Sequence, residues 1–236
     1  MKEDNHLGAA TRTVTRPKAI LSWSSGKDSA MALYRTLNTR QFEVACLLTT
    51  ISEPFHRVSM HGVREELLEL QAGALNIELQ KVVIPYPCPN EVYEEKMREV
   101  LQFWKGKGVT HTIFGDLFLE DIRKYREERL ALLGLEPVFP VWGRDTKNLG
   151  KEMIRSGFRA ILSCVDPRKL DSSFVGREFD STLLRDLPRD VDPCGENGEF
   201  HTFVYDMPLF QSPIKVEVGE KVLRDGFWFA DIRRKP

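Results

Sequence analysis

The chain has 236 residues, with 42% apolar and 29% charged positions, enough for one large core or for two smaller domains that share a cleft. Its formal charge of −1 provides no global field toward nucleic acid or an anionic membrane, so neither is an expected partner. Cys46, Cys88, Cys164 and Cys194 form no CxxC pair, which argues against a zinc ribbon or a disulfide scaffold and makes reduced thiols in a cytoplasmic protein the expectation.

Residues 1–16 are polar, lack the apolar core of a signal peptide, and are expected to form a loose tail. Lys18 to Trp23 then reads as a buried strand that ends in a turn of small residues, and Ala30, Leu33, Tyr34 and Leu37 follow at helical spacing. Val44 to Thr49 is a second strand, and Val63, Leu67, Leu70 and Leu75 mark a helix after His61-Gly62. A third strand, Lys81 to Ile84, is stopped by Pro85, Pro87 and Pro89. A helix from Val92 to Trp104, a strand from Thr112 to Phe114, a helix from Ile122 to Leu133 and a strand from Val138 to Val141 complete the series. Such alternation predicts an α/β fold with a parallel sheet, whose ligands bind beyond the carboxyl ends of the strands.

After about Trp142 the pattern changes, and the domain boundary is set near Pro140, giving residues 17–140 and 141–236. A helix (Leu149 to Ile154) and a strand (Ala160 to Val165) are expected to continue the alternation. A polar stretch from Asp166 to Glu199 reads as loop, followed by strands at Phe200 to Tyr205, Ile214 to Val218 and Phe227 to Ile232. The second part is thus a smaller, mixed α+β domain.

Two segments carry chemistry. Ser24-Ser25-Gly26-Lys27-Asp28-Ser29 lies between the first strand and the first helix. Small residues let backbone N–H groups approach an anion, and the helix start adds its positive end. Ser24, Ser25 and Ser29 offer hydroxyls, Lys27 charge, and Asp28 a carboxylate suited to Mg²⁺. A capped helix start is the plain alternative. A Walker A loop does not fit, because Asp28 follows the lysine and Leu21 stands where that loop has its first glycine. The second segment is Cys194-Gly195-Glu196-Asn197-Gly198-Glu199-Phe200-His201-Thr202. Glu199 and His201 are expected on one side of a strand, as an acid–base or orienting pair. A polar hairpin turn at Asn197-Gly198 is the alternative.

The first segment resembles the pyrophosphate-binding loop of the N-type ATP pyrophosphatases, Ser-Gly-Gly-x-Asp-Ser, with Ser25 in place of the first glycine. Together with the strand end at Gly115-Asp116, Arg126-Glu127 on the next helix, and the second segment, it resembles the diphthine–ammonia ligase family from about Lys18 to Ile232. The resemblance implies a HUP or Rossmann-like nucleotide-binding domain, a smaller domain over the cleft, and use of ATP and Mg²⁺. The implied reaction is an amidation that releases AMP and pyrophosphate. It implies ATP contacts at Ser24 to Ser29, His61, Gly115 and Asp116, with Asp28 on the metal. Lys27, Asp28, Glu196, Glu199 and His201 are the expected catalytic residues; Arg126, Glu127, Asn197, Gly198 and Thr202 are expected on the acceptor. The resemblance implies diphthine on elongation factor 2 as acceptor, with ammonium as nitrogen source.

The diphthine-acting branch reads Glu-Gly-Gly-Glu-x-Glu-Thr, whereas this chain has Asn197 and His201 at the second and sixth positions. Glu-Asn-Gly-Glu-Phe-His resembles a branch associated with cobalamin salvage, so a cobalamin-related acceptor remains an alternative. So does a non-catalytic nucleotide sensor, although it has little use for the second segment. tRNA-thiolating relatives carry paired cysteines, which this chain lacks. The sequence does not set the oligomeric state, and a homodimer stays open.

Overall fold

The computed structural model describes residues 16–236; the expected tail lies outside them, save Arg16. Its first half alternates strands and helices: β1 (Lys18–Ser22), α1 (Lys27–Thr39), β2 (Glu43–Ser52), β3 (Arg57–Val58), α2 (Glu65–Leu75), β4 (Glu78–Ile84), α3 (Asn90–Gly106), β5 (Val109–Ile113), α4 (Glu120–Ala131) and β6 (Glu136–Val138). β1 pairs in parallel with both β2 and β5; β4 continues the sheet beyond β2, and β6 beyond β5. Successive connections therefore leave β1 in opposite directions. The crevice at its carboxyl end is the switch point where parallel sheets of this kind bind ligands. This half is Rossmann-like, as expected. The short β3, not foreseen, runs antiparallel to Ile51 and Ser52, past the last β1 partner, Leu48.

The second half comprises α5 (Thr146–Arg155), β7 (Arg159–Val165), a 3₁₀ turn (Ser172–Phe174), α6 (Ser181–Asp186), β8 (Phe200–Asp206), β9 (Val216–Arg224) and β10 (Phe227–Arg234). Three expectations change here. β7 does not extend the parallel sheet; it is a central strand of a second, antiparallel sheet ordered β8-β7-β10-β9. Six successive buried residues suit either setting, so periodicity could not separate them. The polar stretch is not all loop: Asp171 and Asp180 cap two short helical turns by accepting from the Ser173 and Leu183 amides. β9 starts later and runs further than Ile214 to Val218, because Pro213 precedes it and its exposed edge position leaves little apolar signal. At the boundary, β6 ends at Val138, short of the expected Val141.

β1 is buried on both faces. Ala19 and Leu21 join a core that also holds Met31 and Leu33 of α1, Met153 of α5 and Phe203 and Val204 of β8; Ile20 faces a second core under α3 with Leu101 and Trp104. The two sheets thus share one apolar core across α1. Among the described residues no helix is long and apolar enough to cross a membrane.

A polar clamp adds to this packing. Asp231 of β10 accepts from Arg57 Nη2 (2.7 Å), Arg64 Nε (2.8 Å) and Arg64 Nη2 (2.9 Å), and Arg57 also donates to the Gly62 carbonyl (2.8 Å). These bonds hold the segment that carries His61. The Arg64 hydrogen bonds, joined by Arg57 and opposed by burial, draw the Asp231 carboxyl down to about 2. Its folded-state value lies below the unfolded one, so its stabilisation is present above the unfolded value and is lost as pH falls toward the folded one. Asp231→Asn is therefore expected to lower stability by roughly 2 kcal/mol at neutral pH. Urea denaturation checks this: the gap to wild type should close between about pH 4 and about pH 2. A gap that is constant with pH would show that the carboxylate charge is not what matters.

Candidate active site

β1 delivers the chain to the switch point, where Trp23 to Gly26 turn it into α1. Ser25 sits in the left-handed region (φ 66°), at the position where the related loops have their first glycine. An L-residue there costs about 1–2 kcal/mol, so the turn needs outside support. The Ser25 carbonyl receives two hydrogen bonds, from the Val204 amide and from Gln71 Nε2, both at 3.0 Å. Ser29 Oγ donates to the Gly26 carbonyl (3.0 Å), and the Lys27 amide donates to Thr202 Oγ1 (3.0 Å). Gly115 is required at the β5 exit: a Cβ there would lie 2.7 Å from the Asp28 carbonyl carbon and the Ser29 nitrogen.

A cleft of about 800 Å³ opens at this point. Of the expected residues, Ser24, Asp28 and Ser29 line it from the loop, Gly115 and Asp116 from the exit of β5, and Arg126 from α4; His61, Glu196 and His201 line it as well, His61 lying against Gly26 of the loop. Arg126 pairs with Asp116 at 2.7 Å and lies over the Phe114 ring, 4.2 Å from its centroid. The remaining candidates do not line the cleft. Ser25, Gly26 and Thr202 support its floor through the bonds just described, and Glu127 pairs with Arg123 on the face of α4 (2.7 Å).

Lys27 turns inward. It is 1% exposed, donates to Asp28 Oδ2 (2.9 Å) and to the Cys194 carbonyl, and lies over the Phe200 and Phe179 rings at 5.2 and 5.5 Å. Burial pulls its ammonium toward neutrality, but the charge and hydrogen bond of Asp28, with Glu196 further off, outweigh it and hold Lys27 charged. The cluster from Cys194 to Thr202 folds back through left-handed glycines at 195 and 198 (φ 69° and 81°). Asp192 organises it, accepting from the Cys194 and Glu196 amides at 2.9 and 3.2 Å. Glu199 faces this turn and not the cleft: its Oε1 accepts from the Asp192 amide (3.0 Å) and from Asn197 Nδ2 (3.1 Å). The Asn197 carbonyl takes a bond from Lys169, close to Gly198. Glu199 and His201 thus do not form the expected pair.

Glu196 does reach the cleft, where its Oε1 accepts from the Leu117 amide (2.7 Å). Burial, reinforced by Asp28 and Asp116 and opposed by the Leu117 amide and Lys27, raises its carboxyl to about 7. His61 and His201 stack at 4.4 Å, tilted by 32°. Burial, with Lys27 nearby, lowers His201 to about 4; burial and then His201 push His61 well below its ordinary value. An acid–base role for His201 at neutral pH is disfavoured for this reason: its dry setting disfavours the imidazolium. His61 Nδ1 lies 3.4 Å from the Thr202 carbonyl, which can only accept, so that nitrogen carries the proton. The Cys194 thiol is pushed up by burial and is no nucleophile.

Sequence reasoning missed Asp192 and Gln71. Asp192-Pro193 is a turn signal that could have marked the first; nothing in a lone glutamine on an amphipathic helix marks the second.

The fold and the site define an α/β protein with a phosphate-type strand–helix turn in a cleft closed by a carboxylate and two imidazoles. Residues 17–137 match the family model described as diphthamide synthase N-terminal domain, and residues 145–236 that described as diphthamide synthase C-terminal domain. The diphthine–ammonia ligase of Danio rerio is 35% identical over 234 residues, which cover 89% of this chain and 90% of that protein. The diphthine–ammonia ligase of Homo sapiens is 32% identical over 144 residues, 58% of this chain and 54% of that protein, and that of Rattus norvegicus is 31% identical over the same length. The chain belongs to the diphthine–ammonia ligase family. It spans about half the length of the mammalian relatives it matches.

Two glycines test the packing at the loop. Gly115→Ala drives a methyl into the first turn of α1 and should cost about 1–3 kcal/mol by overpacking. Gly73→Ala, inside α2 with open space around its Cβ, should stabilise by about 0.5–1 kcal/mol. Thermal unfolding of both variants decides; equal effects would mean that α1 and the β5 exit are not in the tight contact described.

Proposed function

We propose that this protein is an ATP-dependent ligase that adenylates a carboxylate, releases pyrophosphate and transfers ammonia to give an amide. The observation that carries the reading is the phosphate-type loop at the sheet's switch point sharing one cleft with Glu196, His61 and His201. The ATP phosphates lie along the Ser24 to Ser29 turn, held by the Gly26 N–H and the Ser24 hydroxyl, while the Ser29 hydroxyl and the Lys27 amide brace the turn. A carboxylate oxygen of the acceptor attacks the α-phosphorus, and the bond to the bridging oxygen of pyrophosphate breaks. Ammonia then attacks the acyl carbon, AMP departs, and the proton shed by the nitrogen passes to Glu196, whose value near 7 suits a base at neutral pH. Both imidazoles are neutral and place no positive charge against ammonium; His61, whose N–H is directed at the Thr202 carbonyl, presents only its Nε2 lone pair.

Among the described residues no group of three acidic, histidine or cysteine side chains is arranged to hold a metal. Asp28 Oδ1 is nevertheless buried without a partner, which fits a Mg²⁺ carried mainly by phosphate and water. Bound there, Mg²⁺ neutralises phosphate charge. Lys27 serves by position in this reading, fixing Cys194 and hence the approach of Glu196; Glu199 does the same through Asp192.

The relatives' name points to diphthine as acceptor. A cobalamin-related acceptor is the second reading, favoured by His201: the position where this chain departs from the diphthine-acting pattern is one that faces the cleft.

With ATP, ammonium and diphthine-bearing elongation factor 2, chromatography should find AMP and pyrophosphate; ADP and phosphate as primary products would overturn the reaction class. Activity at a fixed concentration of unprotonated ammonia should rise with pH through about 7 as Glu196 ionises. Glu196→Gln should lose roughly a hundredfold in turnover and the pH dependence with it. Identical pH profiles for the two would remove Glu196 from the role of base.

A further inference from the structure

Gln71 lies on α2 and is fully buried. Its amide uses both N–H donors and accepts one bond. Oε1 accepts from Trp23 Nε1 (2.9 Å), and Nε2 donates to the Ser25 carbonyl (3.0 Å) and to the Val204 carbonyl (2.6 Å). The orientation is forced, since an indole N–H only donates and a carbonyl only accepts. One side chain thereby joins the end of β1, the phosphate loop and β8.

The bond to Ser25 has a particular consequence. Ser25 is the residue held in the left-handed region, and its carbonyl is fixed toward the interior by Gln71 and the Val204 amide. In a planar trans peptide the following N–H points the opposite way. The Gly26 N–H is therefore directed away from Gln71, toward Ser24 Oγ at the cleft, a long contact of 3.4 Å that an anion could replace.

We propose that Gln71 is a positioning residue for the β- and γ-phosphates of the nucleotide: it sets the Ser25–Gly26 peptide plane so that the loop amide faces the anion. The inference rests on the reading of the loop as a phosphate site and adds to it a residue that touches no ligand. Because the peptide plane acts on phosphate alone, the effect of losing Gln71 must depend on which phosphates a ligand carries. A merely structural role would lower the melting temperature and weaken all ligands alike.

Calorimetry with Mg²⁺ and ATP, pyrophosphate or AMP tests this on wild type, Gln71→Leu and Trp23→Phe, at temperatures where each is folded. Gln71→Leu should weaken ATP and pyrophosphate at least about tenfold and AMP less than about threefold, the scale of one to two lost hydrogen bonds. Trp23→Phe keeps both carbonyl bonds of Gln71 but frees its oxygen, and should show the same ordering at about threefold; it carries the test if Gln71→Leu does not fold. Equal losses for all three ligands, or none, would overturn the inference. Failure of wild type itself to bind ATP or pyrophosphate would instead overturn the phosphate reading, and the role of Gln71 with it.

Discussion

The buried ammonium of Lys27 is the contact on which the rest of the site depends. A charge removed from water must be paired and hydrogen-bonded, or it destabilises the fold by several kcal/mol. Here Asp28, the Cys194 carbonyl and two aromatic faces provide that environment. Asp28 belongs to the Ser24 to Ser29 loop and Cys194 to the turn that carries Glu196, so satisfying one ammonium fixes the distance between the two halves of the cleft. The Lys27 amide bonded to Thr202 and the Ser25 carbonyl bonded to Val204 repeat the connection along β8. The C-terminal cluster is docked on the loop before any ligand arrives, so no movement of that cluster is needed to assemble the site.

Burial shapes the titration of the neighbouring groups, with Lys27 adding to it at the two imidazoles and opposing it at Glu196. Near Lys27 and away from water, His61 and His201 stay neutral, while burial beside Asp28 and Asp116 brings the Glu196 carboxyl into the neutral range. The group whose ordinary value suits proton transfer at neutral pH is moved out of that range, and a carboxyl is moved in. In the proposed reaction this makes Glu196 the residue suited to exchange a proton with the incoming nitrogen.

How much of this was legible follows from the kinds of signal involved. The first half announces itself because its buried strands end in small residues or proline and α1, α2 and α3 carry apolar residues at helical spacing, whereas α4 buries only Leu130; the loop from Ser24 to Ser29 and its place at a strand's carboxyl end were found this way. The second half resists the same reasoning. β7 is buried on both faces and looks like one more parallel strand, while β9 lies at an exposed edge and shows little alternation. Within the site, residue types were found more readily than directions. A lysine at a helix start can face an anion or the interior, and only the aromatic rings and the carbonyl supplied from residues 179–200 decide for Lys27. Glu199 likewise has the chemistry of a catalytic carboxylate but is drawn into the turn by Asp192 and Asn197. Gln71 is silent in the sequence because its partners come from three separate elements.

A crystal structure of the full chain with Mg²⁺ and an ATP analogue that cannot be cleaved between the α- and β-phosphates is the most direct test of the central claim. The account predicts the β- and γ-phosphates along the Ser24 to Ser29 turn, with Lys27 still bound to the Cys194 carbonyl and Glu196 still on the Leu117 amide. Lys27 swung out onto the phosphates, with the Cys194 to Thr202 turn released from the loop, would contradict it.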